Sequence, residues 1–116
     1  MDAIYCYGAP AKGSYFLYHY LEETLSQNKN EPYAYKVRIN LFTYENDSTE
    51  SADYVYGDTE ANQDLLTQEC QRLQSLNLDV TLSADYQMSG ILTNEELQNF
   101  PVNSEYGYVI GFANEQ

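Results

Sequence analysis

From Tyr33 to Tyr44 the chain alternates, with Tyr35, Val37, Ile39 and Leu41 on one side of the pattern and Lys36, Arg38 and Asn40 on the other. A period of two predicts a strand with one face in a core and the other in water. Ahead of it, Ala3 to Tyr7 (AIYCY) is short, aromatic and β-branched, which predicts an opening strand, and the turn residues of GAPAKG at 8–13 end it. From Ser14 the period changes. Leu17, Leu21 and Leu25 recur every fourth residue with Phe16 and Tyr20 beside them, so a helix capped by Ser14 is predicted, ending between Asn28 and Pro32.

After the long strand, residues 45–52 (ENDSTESA) are polar and turn-rich, and Asp53 to Gly57 (DYVYG) predicts a second strand, hence a hairpin with an acidic tip. Asp58 or Thr59 can cap a helix over roughly residues 60–75, whose stripe is Leu66, Cys70 and Leu73 with Leu65 and Leu76 alongside. Glu60 and Asp64 fall in its first turns, where the positive end of the helix dipole favours them. Residues 78–86 alternate again through Leu78, Val80, Leu82, Ala84 and Tyr86, and a loop is expected through Gly90. Thr93-Asn94-Glu95-Glu96 is a capping box for a short helix that stops before Pro101, and Tyr106 to Phe112 (YGYVIGF) reads as a buried last strand. With no repeat, linker or boundary, the order predicts one α+β domain over residues 1–116. Its sheet is expected to be mainly antiparallel with two main helices, in a ferredoxin-like βαββαβ arrangement plus a C-terminal strand.

Charge then changes the picture. Residues 1–38 hold four acids and four bases, whereas residues 39–116 hold fourteen acids and Arg72 alone, so the whole net charge of −13 lies in the last two-thirds of the chain. Between Arg38 and Arg72 stand Glu45, Asp47, Glu50, Asp53, Asp58, Glu60, Asp64 and Glu69 with no Lys or Arg among them. Disorder driven by charge is argued against by the 13 Tyr and 4 Phe, because disordered acidic chains are poor in aromatics. Met1 to Ile4 lacks the basic region and apolar run of a signal peptide, and no apolar stretch approaches the roughly 20 residues of a membrane helix. A cytoplasmic, monomeric protein without membrane contact is expected.

Catalytic signals are thin. His19 is the sole histidine and lies among aromatics, where a packed or surface role is the commoner one. Cys6 and Cys70 are too few and too far apart for a disulfide framework; they can pair in space, but reduced core thiols are the commoner outcome. Neither has a second candidate zinc ligand nearby in sequence. Gly8 to Gly13 has P-loop spacing, yet its Lys precedes the second Gly. A calcium loop laid on Asp47 to Asp58 puts Ala52 where the sharp turn requires Gly, and Asp58 where a bidentate Glu belongs. Paired carboxylates for glycoside chemistry are judged by their separation in space, which a sequence does not display. No enzyme activity, metal or cofactor is expected.

Carboxylates can instead act as a surface. Duplex DNA carries roughly one charge per 1.7 Å of axis, and its protein partners answer with Lys and Arg. Residues two apart on a strand lie about 6.6 Å apart, and those three or four apart on a helix about 5–6 Å at Cβ. Pairs such as Glu45/Asp47, Asp47/Glu50, Glu60/Asp64 and Asp79/Asp85 therefore reach a phosphate-like grain. The expected partner-binding set is Glu45, Asp47, Glu50, Asp53, Asp58, Glu60 and Asp64. Acidic faces also occur simply as solvated surface, but a span of 78 residues with one cation exceeds the usual mixture of signs.

In size, charge and Tyr-rich character, with YENDSTESADYVYGDTE at 44–60 as its centre, the chain resembles the bacterial DNA-mimic proteins, among which is a binder of the histone-like HU protein. The resemblance implies an inhibitor that occupies the DNA-binding face of a basic nucleoid protein without binding DNA itself and without chemistry, with effects on DNA compaction. Immunity proteins and nuclease inhibitors use the same physics against a basic toxin. A calcium- or small-ligand-binding module is the alternative outside mimicry.

Overall fold

The computed structural model describes residues 10–28, 33–44 and 52–113. In chain order they form β1 (Ser14–Leu17), α1 (His19–Gln27), β2 (Ala34–Tyr44), β3 (Ala52–Tyr54), α2 (Glu60–Ser75), β4 (Asp79–Leu82), β5 (Met88–Thr93), α3 (Asn94–Gln98) and β6 (Gly107–Phe112). The alternation read from the sequence makes β2 the spine. Val37, Ile39 and Leu41 are buried in the core, while Lys36, Arg38 and Asn40 point to the opposite face beside Ser89 and Ile91 of β5. Leu21 and Leu25 of α1, Leu66, Cys70 and Leu73 of α2 and Leu97 of α3 join the same core as the three β2 residues, so the helices share one layer. Among the described residues no helix is long and apolar enough to cross a membrane.

The class is the expected one: α+β, one sheet, mostly antiparallel, two main helices and a short third. The strand order is β1-β6-β2-β5-β4, with β3 paired to β2 beyond the end of β5. The C-terminal strand, expected as an addition to a ferredoxin-like sheet, instead lies between β1 and β2, parallel to the first and antiparallel to the second. Its composition explains the place: five of its six residues are buried, and such a strand is most stable with both edges paired and both faces covered.

Three local expectations are corrected. Ser14 to Leu17 is a strand, and α1 begins only at His19, after extended Tyr18. An aromatic run fits either period, and β6 decided between them: Ser14 to Leu17 align with Gly107 to Ile110, and the Tyr15 hydroxyl donates to the Leu97 and Gln98 carbonyls at 2.6 and 2.9 Å. The strand expected over 78–86 stops at Leu82, because Ser83 builds a turn in which its Oγ accepts from the Asp85 and Gln87 amides. Gly90, read as part of a loop, lies inside β5. A Cβ there would come within 2.5 Å of the Asp79 carbonyl oxygen, so the glycine marks a close strand approach and not a break. The proposed strand at Ala3 to Tyr7, and Cys6 within it, lie outside the described residues.

The strand expected over Asp53–Gly57 is shorter, β3 ending at Tyr54 with Gly57 in a turn, and Leu76, expected beside the α2 stripe, is instead its exposed C-cap; other local readings agree. Thr59 caps α2 by accepting from the Asn62 amide, and Thr93 and Glu96 form the reciprocal capping box of α3. The hairpin expected across the acidic loop pairs Tyr44 with Ala52, Thr43 with Asp53 and Phe42 with Tyr54.

Candidate partner-binding surface

Four of the seven expected contact acids are described, and all four are exposed. Asp53 lies on β3, Asp58 in the turn after it, and Glu60 and Asp64 on the first two turns of α2. The last two are one turn apart, about 6 Å along the axis at 1.5 Å per residue. Their helix end has unsatisfied N–H groups that favour negative charge, which offsets part of their mutual repulsion. Glu45, Asp47 and Glu50 lie outside the described residues, in the segment joining the paired Tyr44 and Ala52. Asp79 and Asp85 do not share a strand as expected, since Asp85 has moved into the Ser83–Gln87 turn.

Glu69 is the member of the acidic run that leaves this surface. It is buried, 3% exposed, because positions 66, 69, 70 and 73 share the inward face of α2. Its partner is Arg72, whose Nε and Nη2 donate to the two carboxylate oxygens at 3.0 and 2.7 Å. Nη2 also donates to the Pro101 carbonyl at 2.7 Å, and the Tyr108 hydroxyl donates to Glu69 Oε2 at 2.5 Å while accepting from the Asn103 amide. The bond to Glu69 raises the Arg72 pKa further, and burial followed by that same carboxylate drives the Tyr108 phenol far above its ordinary value of 10.

The charge consequence is simple. The only Lys or Arg in residues 39–116 is used internally on a buried carboxylate. Exposed Asp53, Asp58, Glu60, Asp64, Asp79, Asp85, Glu95 and Glu105 thus have no basic residue of their own segment to neutralise them. The i, i+3 spacing of Glu69 and Arg72, on the stripe side of the helix, was the sequence signal for this pair.

A cleft of about 600 Å³ adjoins these acids and was not legible in the sequence. It opens at a fork in the sheet: Ile39 is the last β2 residue opposite β5, and Phe42 the first opposite β3, leaving Asn40 and Leu41 between. It is lined by Tyr54, Tyr56 and Asp58 from β3 and the segment after it, by Asp85, Tyr86 and Gln87 from the β4–β5 turn, and by Arg38 of β2. The first two segments meet at Gly57. A Cβ on Gly57 would lie 2.2 Å from Cβ of Tyr86, and Tyr86 itself holds a left-handed φ of 58°. Neither atom is the free end of a side chain, so relief requires moving backbone. Gly57→Ala is expected to destabilise the fold by about 1–3 kcal/mol through overpacking. Urea denaturation checks this, and an unchanged midpoint would show that the two segments are not held in contact.

Residues with catalytic potential stand apart. The His19 side chain is exposed on α1, with Nε2 2.9 Å from Glu23. The Cys70 thiol is buried, and burial, then the Glu69 charge, push its pKa up, away from a reactive thiolate. Among the described residues no three His, Cys, Asp or Glu side chains gather as a metal site. In comparisons with known proteins, no family model, no curated protein and no solved structure matches the chain.

Proposed function

We propose that this protein is a DNA mimic, whose acidic surface occupies the DNA-binding face of a basic protein such as histone-like HU and acts by occupancy, without chemistry. The observation that carries this reading is the partition of charge: Arg72 is bound to buried Glu69, and the acids exposed along residues 53–64 have no basic residue from residues 39–116 to offset them. Self-repulsion of this kind destabilises a compact state, and a cationic partner relieves it. The acids lie on a paired strand, a turn and a capped helix, so the field they create is held in place instead of being averaged by side-chain motion alone. Preorganised negative charge is what a surface of Lys and Arg built for DNA can accept.

The test is competition. Fluorescent duplex DNA bound to HU should be released as this protein is added, with the effect shrinking as salt rises. The protein alone should leave duplex mobility unchanged, since both are polyanions. Release by an unrelated protein of equal net charge at the same concentration would reduce the effect to generic polyanion behaviour. Tight, salt-sensitive capture of a nuclease, with no action on HU, would favour the inhibitor reading.

A further inference from the structure

We infer that the cleft at the sheet fork is a receptor for one arginine side chain of the basic partner. For the partner's identity this rests on the mimic reading; the chemistry of the cleft stands by itself. Two acidic residues line it from separate elements, Asp58 from the turn before α2 and Asp85 from the β4–β5 turn. Arg38 lines it too, half-buried and engaged in interactions of its own, and two acids against one base leave the lining net negative. An anion is therefore repelled, and a neutral apolar guest would strip water from two charges without compensation. A divalent metal is poorly served by two carboxylates, and no third metal-binding side chain joins them among the described residues.

The aromatic lining selects among organic cations. Phe42, Tyr54 and Tyr56 form a row with ring centroids 4.3 and 5.6 Å apart, and Tyr56, which ends it, lines the cleft and is 60% exposed. Tyr86 also lines the cleft, with its Cβ packed close against Gly57. A planar guanidinium stacks on tyrosine rings and presents a fork of N–H donors to carboxylates, whereas an ammonium offers a compact, strongly hydrated charge. The volume, about 600 Å³, admits an arginine side chain with its flanking backbone. Such a pocket would turn a diffuse electrostatic encounter into one registered contact, because buried aromatic and arginine anchors dominate interface energies.

Two measurements on the full chain test this. In the first, acetyl-arginine methylamide is titrated into the ¹⁵N-labelled protein, with the lysine and citrulline equivalents as controls. Arginine should shift the amide resonances of Tyr56, Gly57, Asp58, Tyr86 and Gln87, lysine less so, and citrulline not at all. The Tyr56→Leu, Asp85→Asn double variant should lose the response. Equal shifts around Glu95 and Glu105, or an equal response to citrulline, would overturn the inference.

The second measurement separates the cleft from the acidic surface. Tyr56→Leu leaves the net charge untouched, yet should weaken HU binding about fivefold, mainly through faster dissociation, with the salt dependence unchanged. HU binding equal to wild type would refute the anchor while leaving mimicry standing. If HU binds neither protein, mimicry of its DNA has failed, and the arginine titration alone decides the cleft.

Discussion

Replacing Arg72 with leucine is expected to destabilise the fold by about 3–5 kcal/mol, the usual consequence of removing one partner of a buried ion pair. The residue left behind, Glu69, has 2% of its side chain exposed and would keep only the Tyr108 hydroxyl as a donor among the contacts described above. Arg72 also ties α2 to Pro101, so the chain leading into β6 loses its anchor in the same variant. Thermal unfolding should fall by on the order of 10 °C for a domain of this size. Glu69→Gln retains an acceptor for Tyr108 and removes the stranded charge, so the Glu69→Gln, Arg72→Leu double variant should recover much of the loss. Additive losses in that cycle would mean that the two side chains act separately. The same network has an alkaline signature. With the Tyr108 pKa raised above its ordinary value of 10, the stability it contributes is complete below pH 10 and is lost as the pH climbs through the higher folded value. Acid reversal of that trend, with the protein weakest near neutrality and firmest above pH 10, is excluded by this sign.

Converting Asp53, Asp58, Glu60 and Asp64 to their amides should weaken binding to HU on the order of 100-fold at low salt, chiefly by slowing association, because a local field steers encounter. The amides preserve size and much of the hydrogen bonding while removing four charges. A control set, Glu22, Glu23, Glu95 and Glu105, is equally exposed and removes the same charge from α1, α3 and the loop before β6. That set should cost only about a few-fold in affinity, the scale of remote surface charges. The difference between the sets should fade as the Debye length shortens from roughly 10 Å at 0.1 M salt to 3 Å at 1 M. Equal losses from both sets would leave net charge, and not its arrangement, as the determinant of binding. Circular dichroism on both variants guards against unfolding, since Glu60 and Asp64 also complement the α2 dipole.

What the residues declare locally, the sequence by itself determined. β2 was legible because its alternation is long and clean, and α2 because Thr59 caps a stripe of Leu66, Cys70 and Leu73. The capping box at Thr93 placed α3, and the charge partition between residues 1–38 and 39–116 needed no coordinates. These signals depend on a residue's own period or on neighbours within one helical turn. What depends on a distant partner was decided only by the tertiary structure. Ser14 to Leu17 became a strand because β6 offered a parallel edge, and Gly90 stayed in a strand because the Asp79 carbonyl left no room for a side chain. Glu69 left the acidic surface because the inward face of α2 met Tyr108 across 39 residues of sequence. The cleft formed where β5 ends and β3 begins along one edge of β2, a junction of segments that no local pattern connects. Periodicity tells a side chain which way to face; the packed sheet and helices decide what it meets there.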